Sequence, residues 1–144
     1  MKLPAQRMNE VVQQVEQEGV VACPAEAVWG LTCDPLSEDA VLQLLAMKHR
    51  PISKGLIIVA ASSAMLGPLL KPLDSAQRNE LELSWPGPNT WLVPNRGLYP
   101  DWITGESDEI AIRVTSAPAL ALLSYRLGRP VVSTSANPAG AQPA

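Results

Sequence analysis

Three cations crowd one short stretch of the chain: Lys48, Arg50 and Lys54. On a continuing helix Lys48 and Arg50 would point about 200° apart. Pro51 pushes Arg50 out of helical geometry instead, so side chains two positions apart can share a face. Such a cluster suits a polyanion such as a triphosphate. It equally suits the end of a helix, where cations complement the dipole and face water. A second group is Ser133-Thr134-Ser135-Ala136-Asn137. Valines precede it, so the hydroxyls emerge from a buried strand, with Ser133 and Ser135 on one side and Thr134 on the other. Open α/β sheets bind ligands at such carboxyl ends. Asn137 adds an acceptor and two donors. The alternative is a turn or helix cap, which Ser and Asn also favour.

Arg113 lies in the alternating segment Ile110-Ala111-Ile112-Arg113-Val114. A buried arginine needs a partner. That partner is either a structural carboxylate such as Asp108 or the carboxylate of a ligand. Glu26, after the first strand, could bind a metal or cap a helix, while Trp29 reads as core. His49 reads as an exposed spacer. Neither GxxxxGKS/T nor GxGxxG occurs. A nucleotide would therefore be held by side chains from several loops.

The elements that must position these groups follow from periodicity. Met8, Val11, Val12 and Val15 predict an amphipathic helix closed by Gly19. Val20 to Cys23 reads as a strand and Pro24 to Pro35 as a loop. Ser37 caps a second helix with the stripe Val41, Leu44 and Leu45, ended by Pro51. Leu56 to Ala60 reads as a buried strand. A third helical segment falls within Ser75 to Leu83, and Trp85-Pro86-Gly87-Pro88 is irregular. Thr90 to Val93 reads as a strand and Pro94 to Gly105 as a loop. Glu109 to Thr115 alternates as a strand. Ser116 caps a helix that Gly128 closes, and Val131 to Thr134 is the last strand. Alternating strands and helices indicate an α/β fold. Short connections between residues 85 and 115 add antiparallel pairing, so a mixed sheet is expected. No repeat or linker divides the chain, so 1–144 reads as a single domain.

Composition narrows the functions. The chain has 144 residues and 15.4 kDa, with 47% hydrophobic and 17% charged residues, which argues against disorder. A net charge of −3 and a pI near 5.1 argue against nucleic-acid binding by bulk charge. No apolar run approaches the roughly 18 residues of a membrane span. The polar stretch Met1 to Glu18 lacks the apolar core of a secretory signal. Cys23 and Cys33 fit neither a CxxC pair nor a disulfide framework, so a reduced, cytoplasmic compartment is expected. With His49 alone, a multi-histidine metal site and a Ser-His-Asp triad lack support, and no metal site is expected.

Taken together and in order, these segments resemble the YrdC/TsaC family of L-threonylcarbamoyladenylate synthases. The resemblance runs from about Val20 to Gly140. It rests on Pro24-Ala25-Glu26-Ala27-Val28-Trp29-Gly30-Leu31, Cys33-Asp34-Pro35, Lys48-His49-Arg50-Pro51 with Lys54-Gly55-Leu56, Trp85-Pro86-Gly87-Pro88-Asn89-Thr90, Ala111-Ile112-Arg113-Val114 and Ser133-Thr134-Ser135-Ala136-Asn137. It implies a twisted mixed sheet flanked by helices, with an open cationic cavity. It implies that ATP, L-threonine and bicarbonate yield threonylcarbamoyl-AMP and pyrophosphate, with Mg²⁺ assisting. The product would feed threonylcarbamoyladenosine formation at position 37 of tRNA through partner proteins, with tRNA or double-stranded RNA as a further contact and no membrane partner.

The same resemblance implies roles for single residues. Lys48, Arg50 and Lys54 would contact nucleotide phosphates, with Lys48 and Arg50 catalytic. Ser135 and Asn137 would complete the ATP site. Arg113 and Ser133 would contact threonine or its carbamate. Attack on an α-phosphorus relies on in-line placement and charge stabilisation, so no histidine base is needed. The chain departs from the family pattern at Ala25 and Ala27, where threonine is common, at Val59, where many relatives carry histidine, and at Asn89, where the family is usually apolar. Members continue some tens of residues further, so a closing segment is expected to be missing. Two rival readings are an RNA-binding ribosome-maturation protein of the same fold and a carbamoyl-adenylate domain of hydrogenase maturation. The zinc-finger and acylphosphatase-like regions that accompany the latter are not seen.

Overall fold

A computed structural model describes residues 4–26 and 29–135. Asn137 therefore lies outside the described residues. Helix α1 (Ala5–Glu16) buries Met8, Val11, Val12 and Val15, the stripe that the spacing predicts. It stops earlier than expected: Glu18 takes the left-handed conformation (φ 63°), and the Gly19 N–H returns to the Gln14 carbonyl at 2.8 Å. Strand β1 (Val21–Pro24) is followed by β2 (Trp29–Cys33), in a stretch expected to be a loop. Helix α2 (Glu38–Lys48) starts as expected, with the Ser37 hydroxyl accepting from the Ala40 N–H. Its end is set by His49 in the left-handed region (φ 53°), one residue ahead of Arg50.

A 3₁₀ turn (Ile52–Lys54) leads to β3 (Ile57–Ala60). Then come α3 (Gly67–Leu70), α4 (Ser75–Leu83), β4 (Trp91–Pro94) and α5 (Asp101–Thr104). Asp74 and Gln77 form a reciprocal capping box that explains where α4 begins. The short α3 and α5 carry too few residues for periodicity to reveal. Strand β5 (Glu109–Val114), α6 (Pro118–Leu127) and β6 (Val131–Ser135) complete the order. Ala117, not Ser116, sits at the α6 N-cap, with no side-chain cap, and Gly128 closes the helix at φ 72°.

Among the described residues the six strands form one mixed sheet in the order β1-β2-β6-β3-β5-β4, in which only β3 and β5 are parallel. The period-two alternation sorts side chains between two faces. On one face Leu31, Ile58, Ile110, Ile112 and Val132 pack with Val41, Leu44 and Leu45 of α2 and with Leu66, Leu69 and Leu70. On the other, Val21, Cys23, Val59 and Val131 lie under α1 and α6. That second cover is partial. Ala111 and Arg113 of β5, Ile57 of β3 and Ser133 of β6 share its side of the sheet but line open cavities.

Candidate active site

The larger cavity on the open side has a volume of about 290 Å³ and is lined by Glu26, Arg50, Leu56, Arg113, Ser133 and Ser135, among others. Two guanidinium groups thus face two strand-tip hydroxyls, an arrangement suited to an anion with several oxygens. A smaller cavity of about 150 Å³ shares Arg50 and Leu56 and adds Lys54, Ser107 and Glu109. The two spaces meet at Arg50, Leu56 and Ile57.

The local chain holds that segment firmly. The Arg50 Nε donates to the Gly55 carbonyl at 3.0 Å, which tethers the guanidinium stem and leaves the terminal nitrogens for other contacts. Gly55 (φ 74°, ψ 172°) and Gly105 (φ 66°, ψ −134°) occupy a backbone region reserved almost wholly for glycine. They also approach closely. A Cβ on Gly55 would lie 2.9 Å from the Thr104 carbonyl oxygen, and one on Gly105 would collide with the Ser53 carbonyl. The Leu56 N–H donates to Ile103 and the Glu106 N–H to Ser53, so the 3₁₀ turn and α5 are clasped backbone to backbone.

Lys48 stands apart from the other two cations. It is buried at 4% exposure and its ammonium donates to the Ser135 hydroxyl at 3.1 Å. The α2 end and the β6 tip, 87 residues apart, are joined there. Desolvation pushes the Lys48 pKa below its ordinary value, and the nearby Arg50 charge lowers it further. Lys54 is exposed. Of the three cations, Arg50 alone lines the larger cavity.

Arg113 pairs with Glu26 rather than with Asp108, its Nη2 lying 3.5 Å from Glu26 Oε1. Glu26 Oε2 accepts from the Thr115 hydroxyl at 2.7 Å and from the Ser116 N–H at 3.1 Å. The glutamate therefore neither caps a helix end nor joins a metal cluster; among the described residues there is no group of three or more potential metal ligands. The Glu26–Thr115 contact escaped the sequence reading because 89 residues separate the partners. An unpaired acid and an unpaired arginine in otherwise apolar surroundings were its only trace. Trp29, expected in the core, is the first residue of β2 and is 43% exposed. His49 is exposed as expected.

A mixed α/β sheet thus gathers guanidinium and hydroxyl groups round one open cavity, without a glycine-rich phosphate loop. The family is specific: the Sua5_yciO_yrdC family model, described as Telomere recombination, matches residues 13–144, and the chain belongs to that family. It is 53% identical over 138 residues to a threonylcarbamoyl-AMP synthase of Cellvibrio japonicus (strain Ueda107), covering 96% of this chain and 73% of that protein. It is 54% identical over 126 residues to a threonylcarbamoyl-AMP synthase of Pseudomonas paraeruginosa (strain DSM 24068 / PA7), covering 88% and 68%. The crystal structure of P. abyssi Sua5 complexed with L-threonine matches with a TM-score of 0.87 at 30% identity, covering 99% of this chain and 42% of that one. This chain thus spans less than half of that Sua5 chain.

Proposed function

We propose that this chain carries the catalytic cavity of a threonylcarbamoyl-AMP synthase. L-threonine and bicarbonate condense to the carbamate with loss of water. A carbamate oxygen then attacks the α-phosphorus of ATP, and pyrophosphate leaves with the P–O bonding electrons. The observation that carries the reading is the meeting of Arg50, Arg113, Ser133 and Ser135 round one cavity. The names of relatives about half identical to this chain support it.

In this reading Arg113 grips the threonine carboxylate as a fork, which lysine could not do. Ser133 meets the carbamate. Arg50 and Lys54 bind phosphate oxygens, and Arg50 stabilises charge developing on the phosphoryl group. Lys48 acts beside them by holding the Ser135 hydroxyl and adding positive potential at the strand tip. Asn137 completes the nucleotide site. Mg²⁺ enters as MgATP, bound chiefly by phosphate oxygens and water. No helix among the described residues is long and apolar enough to cross a membrane. The product would pass to partner proteins that modify tRNA, and we place this work in the cytoplasm.

The test is incubation with ATP, bicarbonate and labelled threonine, with pyrophosphate measured. Release that depends on threonine and is lost in Arg50→Ala supports the reading. Release independent of threonine overturns it. RNA affinity that falls steeply with salt, without any threonine-dependent ATP binding, would favour an RNA-binding role instead.

A further inference from the structure

Glu26 is the acidic side chain that shares the larger cavity with Arg50 and Arg113. An acid at the mouth of an anion site needs a reason, because it repels the ligand. The geometry points to one: we propose that Glu26 is a positioning residue, aiming Arg113 at the substrate carboxylate. This inference rests on the function proposed above.

The two oxygens of Glu26 do different things. Oε2 is fixed by the Thr115 hydroxyl and the Ser116 N–H. Thr115 is fixed in turn: its N–H donates to the Ala60 carbonyl at 3.1 Å, and its hydroxyl accepts from the Ala117 N–H at 3.0 Å. A rigid corner between β5 and α6 therefore sets the carboxylate. Oε1 lies 3.5 Å from Arg113 Nη2, close enough for attraction but without hydrogen-bond geometry, and has no hydrogen-bond partner among the described residues. The Arg113 Nε is likewise shielded and unpartnered among them.

Arg113 is thus steered but not consumed. Its side chain is 15% exposed, that of Glu26 14%, and Arg50 lines the same space. Without Glu26 the two guanidinium groups would repel across a partly desolvated cavity, and Arg113 would lose the charge that holds its direction. With it, donors of Arg113 remain for a carboxylate ligand. Glu26→Gln keeps acceptors for Thr115 and Ser116 through the amide oxygen while removing the charge, so it isolates the steering.

The experiment measures L-threonine binding by calorimetry and, in parallel, KM and kcat for threonine, ATP-analogue affinity and the preference for L-threonine over L-threoninamide. Glu26→Gln should weaken threonine binding and raise its KM about 10-fold or more. ATP-analogue affinity and kcat should stay within about 3-fold, and preference over the amide should shrink. Unchanged threonine affinity in Glu26→Gln, with the wild type binding threonine, overturns this inference alone. Equal losses of threonine and ATP affinity with a lowered Tm would make Glu26 merely structural. A wild type that binds no threonine overturns the proposed function as well.

Discussion

Among the described residues two arginine–carboxylate pairs join distant parts of the chain, and they are built differently. Arg129 Nη2 donates to Asp34 Oδ2 at 2.8 Å, a full charge-assisted hydrogen bond. Asp34 also accepts from the Leu36 N–H, and the Trp102 indole donates to the adjacent Pro35 carbonyl, so this pair fastens the connection between β2 and α2. Arg113 and Glu26 stand at 3.5 Å without a hydrogen bond, deeper than the first pair and beside a cavity. Desolvating charge is costly, and a pair kept only for stability closes to short range. A pair left open beside a cavity keeps its donors for something else.

The sharpest way to break this comparison is to truncate both arginines. Under the proposed function, Arg113→Ala should lower threonine-dependent pyrophosphate release by on the order of 10²–10³-fold with little change in Tm. Arg129→Ala should keep turnover and lose about 1 kcal/mol of stability, because the Arg129 side chain is 40% exposed. Urea unfolding beside a pyrophosphate assay measures both. Equal activity losses would erase the distinction.

The next contrast concerns the backbone that carries Arg50 and Lys54. Gly105→Ala forces a side chain into glycine-only backbone geometry and against the Ser53 carbonyl. About 2–3 kcal/mol should be lost, with Tm falling by roughly 5–10 °C. ATP-analogue affinity should fall with it, because the clasp between the 3₁₀ turn and α5 supports the cationic segment. Gly128→Ala, at φ 72° but with nothing within 4 Å of the added Cβ, should cost less and leave affinity unchanged. Thermal melts and calorimetry on the two variants decide it.

What the sequence makes legible tracks how local the cause is. The α2 cap at Ser37, the α4 span and the buried stripes of α1 and α2 were readable, since capping and period depend on neighbours a few positions apart. The β5 alternation was readable too, from Ile110-Ala111-Ile112-Arg113-Val114. Strand β2 was not, because Trp29-Gly30-Leu31-Thr32-Cys33 alternates poorly and owes its form to pairing with β1 and β6. At the candidate site the residue types stood out, while their partners did not. Lys48 meets Ser135 across 87 positions and Glu26 meets Thr115 across 89, distances at which no periodicity operates. The burial of Lys48 was likewise invisible, since charge clusters at helix ends ordinarily face water.

That burial yields a smaller effect that separates Lys48 from Lys54. Desolvation and Arg50 lower the Lys48 pKa in the free protein. Bound phosphates would restore the charged form, so binding takes up a proton in the window between the lowered pKa and the ordinary value of 10.5. ATP-analogue affinity should therefore fall as pH rises through the lowered value. Lys48→Met should flatten that slope, while Lys54→Met should leave it in place. Calorimetry across alkaline pH in buffers of different ionisation enthalpy measures the uptake, and a slope surviving in Lys48→Met would detach the effect from Lys48.

The smallest expected effect is in the thiols, of which Cys33 adjoins Asp34 of the closed pair. Burial pushes Cys23 up to about 11 and Cys33 to about 12, the latter helped by the Asp34 charge. Above the ordinary value of 9.0 the unfolded chain releases these protons while the folded chain retains them. Folding stability contributed by the thiols is therefore present below pH 9 and declines as pH rises toward 11 and 12. Alkylation at pH 8 should be slow in the folded protein and fast in urea, because the reactive thiolate is scarce and enclosed. Mass spectrometry of the labelled chain gives the two rates. Asp34→Asn should bring Cys33 closer to Cys23 in its alkaline onset without changing turnover, since the closed ion pair, unlike the open one, lines neither of the two cavities that hold Arg50.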